Sequence, residues 1–227
     1  MCGRYTITKG AKELIGRFSF NDADNTFRPR YNAAPKQVLP VVCRTAGQNI
    51  LRMMRWGLIP SWANEASIGQ KMINARAETL HSKPSFKRPF FSQRCLVPAD
   101  GYYEWPTINN KKTPVRFLLK DASLFAFAGL WDRWKTPLGE FMDTYTIITT
   151  QANDFIKRFH HRMPVILKQD DENQWLEEPS KDMALLRKLI SADQTPALRA
   201  YEVSALVNRP SNDHEDCIKQ TGDFFQS

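Results

Sequence analysis

Alternating apolar and polar positions recur through the chain and predict a series of β-strands. Residues 37–44 and 49–56 predict two strands joined by a turn at Ala46-Gly47. Other short segments that alternate or run apolar predict strands at 4–8, 94–97, 102–105, 115–120, 124–131, 142–149, 164–167 and 199–203. Strand patterns therefore dominate the middle of the chain.

Helical periodicity is confined to a few segments. The apolar stripe of Leu14, Ile15 and Phe18 predicts a helix over 9–18, with Thr8 as its N-cap. Further helices are predicted from Pro84 onward and over 151–159, 171–177 and 181–190. Residues 21–32 predict a loop, and the residues after 203 predict a polar tail. Because strands and helices do not alternate strictly, the pattern predicts an α+β fold with a mixed β-sheet.

Composition narrows this to one globular unit. The chain has 227 residues, of which 42% are hydrophobic, and it contains no repeat or linker, so we expect a single domain over 1–227. The longest nearly unbroken apolar run, 124–131, is far shorter than the roughly 20 residues of a membrane helix. No signal-peptide stretch is recognisable. We expect a soluble, cytoplasmic protein without membrane contact, associated with the nucleoid if bacterial.

Charge is distributed unevenly. Residues 1–95 carry sixteen Lys and Arg against five Asp and Glu, a net of +11, whereas 96–227 carry sixteen against nineteen, a net of −3. A basic half predicts a polyanionic partner.

Cysteine spacing and glycine content argue against bound cofactors. The four cysteines form no C-x-x-C pair and have no histidine at metal-ligand spacing, so no metal site is expected. Disulfides are not expected without a secretory signal. No G-x-G-x-x-G or Walker loop occurs. We therefore predict no cofactor and assign Cys43, Cys95 and Cys217 to core packing.

Cys2 offers two nucleophiles on adjacent carbons if Met1 is removed. An α-amine with a pKa of about 7.8 is neutral in roughly a tenth of molecules at pH 7, compared with about 0.04% for a lysine amine. A neutral amine can attack an aldehyde, and the thiol can then close onto the Schiff base as a thiazolidine. The alternative is that Cys2 is a bystander on a frayed terminus.

Three further segments carry candidate catalytic groups. Glu104 lies among aromatic residues in 99–105, where desolvation would raise the pKa of its carboxyl and suit it to proton transfer, unless it faces solvent. His160 is a natural proton donor near neutral pH, although a lone histidine is often a surface or capping residue. Asn74 and Arg76 share a face of an extended segment.

A nucleic-acid interface needs cations interleaved with flat surfaces. Trp56, Trp62 and Trp105 are candidates for base stacking, although tryptophans in apolar strands are usually core residues. The candidate cations are Arg4, Arg30, Arg52, Arg55, Arg76, Lys83, Lys87 and Arg88.

Six motifs occur in order along the chain. They are Met1-Cys-Gly-Arg-Tyr-Thr, Arg30-Tyr-Asn-Ala-Ala-Pro35, Arg55-Trp-Gly-Leu-Ile-Pro60, Ile73-Asn-Ala-Arg-Ala-Glu-Thr79, Arg94 to Trp105 and His160-His-Arg-Met-Pro164. Together they resemble the SOS response-associated peptidase (SRAP) family. The resemblance implies a barrel-like mixed sheet surrounded by helices. It also implies a sensor that crosslinks itself through a thiazolidine to abasic sites in single-stranded DNA, and that removes its own Met1 as a cysteine autopeptidase.

The resemblance also assigns roles to individual residues. It implies that Cys2 is the nucleophile, Asn74 holds the lesion and the Cys2 backbone, Glu104 moves protons on the amine, and His160 protonates the sugar oxygen. It implies phosphate contacts from Arg4, Arg76 and Arg162, and base contacts from Trp62 and Trp105. His161 departs from the family, whose members commonly carry Asp there. We expect a monomer.

Two other functions remain open from the sequence. Glutamine amidotransferases also begin Met-Cys-Gly, but they usually serve a synthetase domain that this chain has no room for, and an arginine follows Gly3 here. A noncovalent single-strand binder, in which Cys2 is incidental, is the second alternative.

Overall fold

A computed structural model describes residues 2–21, 27–177, 179–180 and 182–226. Its strands are β1 (Tyr5–Ile7), β2 (Phe20–Asn21), β3 (Arg30–Ala33), β4 (Val38–Thr45), β5 (Gln48–Trp56), β6 (Asn74–Arg76), β7 (Arg94–Ala99), β8 (Gly101–Glu104), β9 (Thr107–Ile108), β10 (Lys111–Lys112), β11 (Val115–Leu119), β12 (Phe125–Lys135), β13 (Phe141–Gln151), β14 (Arg162–Pro164), β15 (Leu198–Val203) and β16 (Gln220–Gln226). Its α-helices are α1 (Ala11–Phe18), α2 (Pro84–Ser92), α3 (Asp154–Lys157), α4 (Gln169–Leu176) and α5 (Met183–Leu189).

Five strands close into a barrel. Strands β5, β4, β7, β12 and β13 pair in that order, and all four pairings are antiparallel. The ring closes because β13 also pairs in parallel with β5, at Thr144↔Arg55 and Tyr145↔Trp56. Because each of these five strands pairs with two others of the ring, the barrel has no unpaired edge strand. The predicted α+β class and the barrel-like core are both confirmed.

A second sheet packs against the barrel and carries the start of the chain. Its order is β16-β15-β11-β8-β1-β3, so β1 lies between β8 and β3. Aromatic side chains fill the space between the sheets. The Tyr5 ring contacts the Trp56 and Phe127 rings edge to face, at centroid distances of 5.1 and 5.9 Å respectively. The hydroxyls of Tyr5 and Tyr145 share a hydrogen bond of 2.7 Å inside this core. The first residues of the chain are therefore anchored to the core.

The turn between β4 and β5 forms as its sequence predicts. Ala46 and Gly47 adopt φ angles of 49° and 78°, the left-handed values that a tight hairpin turn requires. Helix α2 begins at Pro84, as predicted, and buries Phe90. No helix among the described residues is long and apolar enough to cross a membrane.

Several local predictions are wrong, and the strand predicted at 164–167 lies earlier, as β14 (Arg162–Pro164). Gly10, and not Thr8, is the N-cap of α1, because the Thr8 hydroxyl and amide both donate to Asp100 Oδ2. The predicted loop contains strand β3, whereas residues 22–26 of that loop lie outside the described ranges. The predicted helix over 151–159 shortens to α3, because β13 continues to Gln151. The polar tail contains β16, which pairs with β15.

Candidate functional site around Cys2

Cys2 is buried and lies just before β1, an inner strand of the second sheet. The Tyr103 amide donates to the Arg4 carbonyl at 3.0 Å, and Tyr5 pairs with Tyr102, so the residues before β1 run alongside the end of β8. Cys2 is fully buried, and its carbonyl oxygen accepts a hydrogen bond of 2.9 Å from Asn74 Nδ2. The alternative of a frayed terminus is therefore wrong.

Asn74 reaches Cys2 from a different part of the fold. It lies on β6, which pairs in parallel with the barrel strand β13 at Asn74↔Ile147. Its Nδ2 donates to the Cys2 carbonyl, whereas its Oδ1 is buried and has no hydrogen-bond partner among the described residues. Since a buried polar atom without a partner is costly, this oxygen is a candidate acceptor for a bound ligand. Strand β6 thus brings an amide to Cys2 that sequence spacing alone does not place there.

Glu104 acts electrostatically on the Cys2 thiol. Burial raises the pKa of the Cys2 thiol far above its ordinary value, and the charge of Glu104 raises it further. The thiol is therefore protonated at neutral pH, so it needs a base before it can act as a nucleophile.

Glu104 is itself desolvated. It ends β8, pairs with Val115 of β11 and exposes only 5% of its surface, so a solvent-facing position for this residue is wrong. Burial raises the pKa of its carboxyl. Tyr102 lies on the same face of β8, and its buried hydroxyl has no hydrogen-bond partner among the described residues. The environment around Glu104 favours proton uptake nearer neutral pH.

His160 follows α3 and precedes β14. His160 Nδ1 lies 2.9 Å from the Arg162 amide nitrogen and 3.1 Å from the Arg162 carbonyl oxygen, so the backbone of Arg162 orients the imidazole. Burial lowers the pKa of this imidazole, and the charges of His161 and Lys112 add to that effect. The rings of His160 and His161 stack with centroids 4.4 Å apart. Lys112 Nζ donates to the Trp105 carbonyl at 3.1 Å, directly after the end of β8.

Arg4 is already well anchored. Its Nη1 donates to Asn32 Oδ1 and to the Val207 carbonyl, both at 2.8 Å. Its guanidinium lies over the Trp105 ring at 5.9 Å, and Trp105 Nε1 donates to Asn208 Oδ1 at 2.6 Å. A cavity of about 410 Å³ opens here, lined by Gly3, Arg4, Trp105, Lys112 and Asn208. This cationic cavity with one aromatic wall begins next to Cys2.

The remaining predicted DNA contacts differ in accessibility. Arg76 is exposed beside Asn74, and Trp62 exposes 59% of its surface. Arg162 is buried, and its guanidinium is paired with Glu78. Trp56 exposes only 1% of its surface and donates through Nε1 to the Ile73 carbonyl, so the prediction that it stacks on bases is wrong.

Sequence reasoning missed three residues that shape this region. Asn32 orients Arg4, Asn208 holds the Trp105 ring, and Glu78 occupies Arg162. The partners of these three residues are distant in sequence, so no local pattern connects each residue to its partner. Asn32 and Glu78 belong to two of the six motifs, but the motifs do not indicate what these side chains bind. Among the described residues no group of three or more His, Cys, Asp or Glu side chains is arranged to hold a metal ion.

Comparison with known proteins gives one consistent result. The family described as SOS response associated peptidase (SRAP) matches residues 1–210. The chain is 43% identical over 222 residues to the abasic site processing protein YoqW of Bacillus subtilis, covering 96% of this chain and 99% of that one. It is 31% identical over 261 residues to the abasic site processing protein HMCES of Gallus gallus, covering 96% and 77%.

A solved structure shares the same fold. A crystal structure of a protein from Bacteroides thetaiotaomicron superimposes with a TM-score of 0.87 at 27% identity, covering 97% of this chain and all of that one. Because the family match spans most of the residues, and relatives above 30% identity cover nearly the whole chain, the chain belongs to the SOS response-associated peptidase family.

Proposed function

We propose that this protein processes abasic sites by binding single-stranded DNA and forming a covalent thiazolidine crosslink through Cys2 after Met1 is removed. The observation that carries the proposal is the hydrogen bond from Asn74 Nδ2 to the carbonyl of a fully buried Cys2, because it fixes the reactive residue beside Glu104. The names of the relatives, which are abasic site processing proteins, support the same activity.

The chemistry proceeds in two balanced steps. The neutral α-amine of Cys2 attacks the aldehyde carbon of the ring-opened abasic sugar, and loss of water leaves a Schiff base. The Cys2 sulfur then adds to that carbon, while the thiol proton is transferred to nitrogen. The former aldehyde carbon is then bonded to both the nitrogen and the sulfur of Cys2, which closes a five-membered ring. No external oxidant or reductant is needed.

The raised pKa of the thiol sets the order of these steps. Because burial and Glu104 keep the sulfur protonated, the amine is the first nucleophile and the thiol reacts second. Glu104, whose own pKa is raised by burial, is suited to take a proton from the amine and return it during ring closure. His160 would deliver an imidazole proton to the sugar oxygen as the sugar ring opens.

Affinity for the strand comes from the surrounding cations. Arg4, Arg76 and Arg162 would contact phosphates, and Trp62 and Trp105 would contact bases on either side of the lesion. Single-stranded DNA suits this site because no duplex has to open before the sugar reaches Cys2. The same cluster would release Met1, since peptide cleavage also needs the sulfur and a nearby proton carrier. We further propose that the protein acts as a single-domain monomer.

The test is incubation with matched abasic and intact oligonucleotides, followed by denaturing electrophoresis and mass analysis. We expect an adduct that survives heating only with the abasic strand, and a mature chain that begins at Cys2. Cys2→Ala should abolish the adduct and leave DNA affinity nearly unchanged, whereas the control Cys43→Ala, which changes a buried cysteine of β4, should keep it. Salt-sensitive binding without any adduct supports a noncovalent binder instead, and glutamine turnover supports an amidohydrolase.

A further inference from the structure

The guanidinium of Arg162 is occupied before any DNA is present. Its Nη1 lies 2.6 Å from Glu78 Oε1, and its Nη2 lies 3.0 Å from Glu78 Oε2, which is a bidentate pair. Nη2 also donates to the Thr149 carbonyl at 2.6 Å. The Glu78 carboxylate therefore occupies Nη1 and Nη2 of Arg162, the two donors that would bind two oxygens of a phosphate. A phosphate therefore meets Arg162 only if Glu78 moves.

The two partners are unequally exposed. Arg162 is buried against β13, whereas the Glu78 side chain exposes 42% of its surface. Glu78 lies in the 3₁₀ turn Ala77–Thr79, which directly follows β6 with Asn74 and Arg76. Glu78 is thus the member of the pair that has room to move, whereas the Arg162 side chain is enclosed.

Glu78 is charged at neutral pH. Although partial burial opposes ionisation, the hydrogen bonds from Arg162 and the charges of Arg162 and Arg76 hold the pKa of the Glu78 carboxyl below its usual value. The carboxylate therefore pairs with Arg162 and is influenced by the charge of Arg76, two of the cations that the proposed function directs at phosphates. It lowers the positive potential at this edge of the site.

The fold provides a place for the displaced carboxylate. A groove of about 420 Å³ opens beside Glu78, and its lining includes Gln151, Ser191 and Arg187. Arg187 lies in the last turn of α5 and is exposed. A carboxylate that leaves Arg162 can rotate into this groove toward a second cation, so its release does not leave a charge unpaired in a buried position.

We propose that Glu78 is a specificity-determining residue that occupies Arg162 as an internal substitute for phosphate and must be exchanged for a DNA phosphate when a strand binds. This inference rests on the proposed function and concerns its selectivity. The exchange weakens binding to every single strand equally. Weaker binding shortens the time that the protein spends on intact DNA. Abasic strands are still retained, because the covalent bond to Cys2 does not depend on that affinity.

The primary experiment measures affinity for an intact single-stranded oligonucleotide by fluorescence anisotropy across a salt series. Glu78→Gln should bind about two- to five-fold more tightly, the range expected for loss of a competing exposed ion pair. The slope of log affinity against log salt should stay nearly the same, because Arg162 contacts the same phosphate in both complexes once Glu78 has been exchanged. The control Glu140→Gln removes the same charge from the exposed turn between β12 and β13 and should change neither quantity. Unchanged or weaker binding by Glu78→Gln overturns the inference.

A double-mutant cycle separates exchange at Arg162 from a general charge effect. In an Arg162→Gln background, Glu78→Gln should have no further effect on affinity; equal tightening in that background would overturn the inference. If thermal melting shows that Arg162→Gln does not fold, Arg162→Lys serves instead, because a lysine cannot make the bidentate pair and the effect of Glu78→Gln should shrink.

The same preparations distinguish failure of this inference from failure of the proposed function. The unmodified protein is incubated with the abasic strand in parallel. Absence of a stable adduct there refutes the function itself. A normal adduct together with unaltered intact-strand affinity in Glu78→Gln refutes only the role of Glu78.

Discussion

Replacement of Asn32 by alanine should loosen the anchoring of Arg4. The Asn32 side chain is fully buried, and its Oδ1 accepts from Arg4 Nη1 at 2.8 Å. Its Nδ2 lies 3.1, 3.0 and 2.8 Å from the carbonyls of Val207, Arg209 and Asn212. An amide nitrogen has only two hydrogens, so these three contacts count as about two full hydrogen bonds.

The expected loss of stability follows from that count. Two neutral hydrogen bonds at about 1 kcal/mol each, and one bond to a charged group at about 2 kcal/mol, give about 4 kcal/mol for Asn32→Ala. A loss of this size is large for a single substitution, and it is expected only where a buried hydrogen-bond network is broken. Arg4 would keep the Val207 carbonyl as a partner but lose its side-chain acceptor, so its position over Trp105 should loosen.

Two assays test this prediction together. Urea unfolding measures the free energy of unfolding, and anisotropy measures affinity for intact and abasic strands. The adduct with abasic DNA should still form, because among the described residues no hydrogen bond joins Asn32 to Cys2 or Asn74. Asn49→Ala is the control, since Asn49 bonds to Phe18 and Arg44 away from the site and should leave DNA affinity unchanged. A free energy of unfolding within about 1 kcal/mol of the unmodified protein would refute the hydrogen-bond count, and unchanged DNA affinity would refute the link to Arg4.

Four further outcomes follow from the site. Because the folded-state pKa of Glu104 is raised, its protonated form stabilises the fold at low pH, and this contribution is lost as pH rises above the usual 4.5 and through the folded value. Glu104→Gln should therefore flatten that pH dependence in chemical unfolding while slowing the adduct; an unflattened profile contradicts the burial argument. With rising pH the protonated form of His160, whose pKa burial lowers, decreases while the neutral Cys2 amine increases, so the adduct rate should level off below the amine pKa of about 7.8. His160→Ala should instead keep rising with pH in rates measured from pH 5 to 8. Tyr102→Phe should be neutral or stabilising in urea, because it removes a hydroxyl without a described partner, and a loss above about 1 kcal/mol would reveal a hidden one. Arg76→Ala should weaken binding to intact and abasic strands alike, and a loss confined to the abasic strand contradicts a phosphate contact.

Local patterns predicted the elements whose cause is local. The hairpin of β4 and β5 follows from two apolar runs around Ala46-Gly47, whose φ angles are both positive. Helix α2 follows from Pro84 at its first turn. Local predictions were wrong where a partner distant in sequence determines the structure. Thr8 donates to Asp100 and does not cap α1, and part of the polar tail forms a strand because it pairs with β15.

The candidate site divides in the same way. Sequence alone singled out Cys2, Glu104 and His160 by their chemistry, because residue type and position in the chain determine which group can act as a nucleophile or carry a proton. It could not determine whether Cys2 is frayed or buried, since that depends on Asn74 reaching across from β6.

The amino-acid sequence by itself determined the strand-rich α+β class, the basic first half and the reactive residue types, because periodicity, charge and side-chain chemistry are properties of neighbouring residues. Only the tertiary structure decided that five strands close into a barrel, that Asn32 anchors Arg4 and that Glu78 occupies Arg162. Each of these joins residues far apart in the chain. Their energies depend on distance, burial and hydrogen-bond direction, which exist only once the chain has folded.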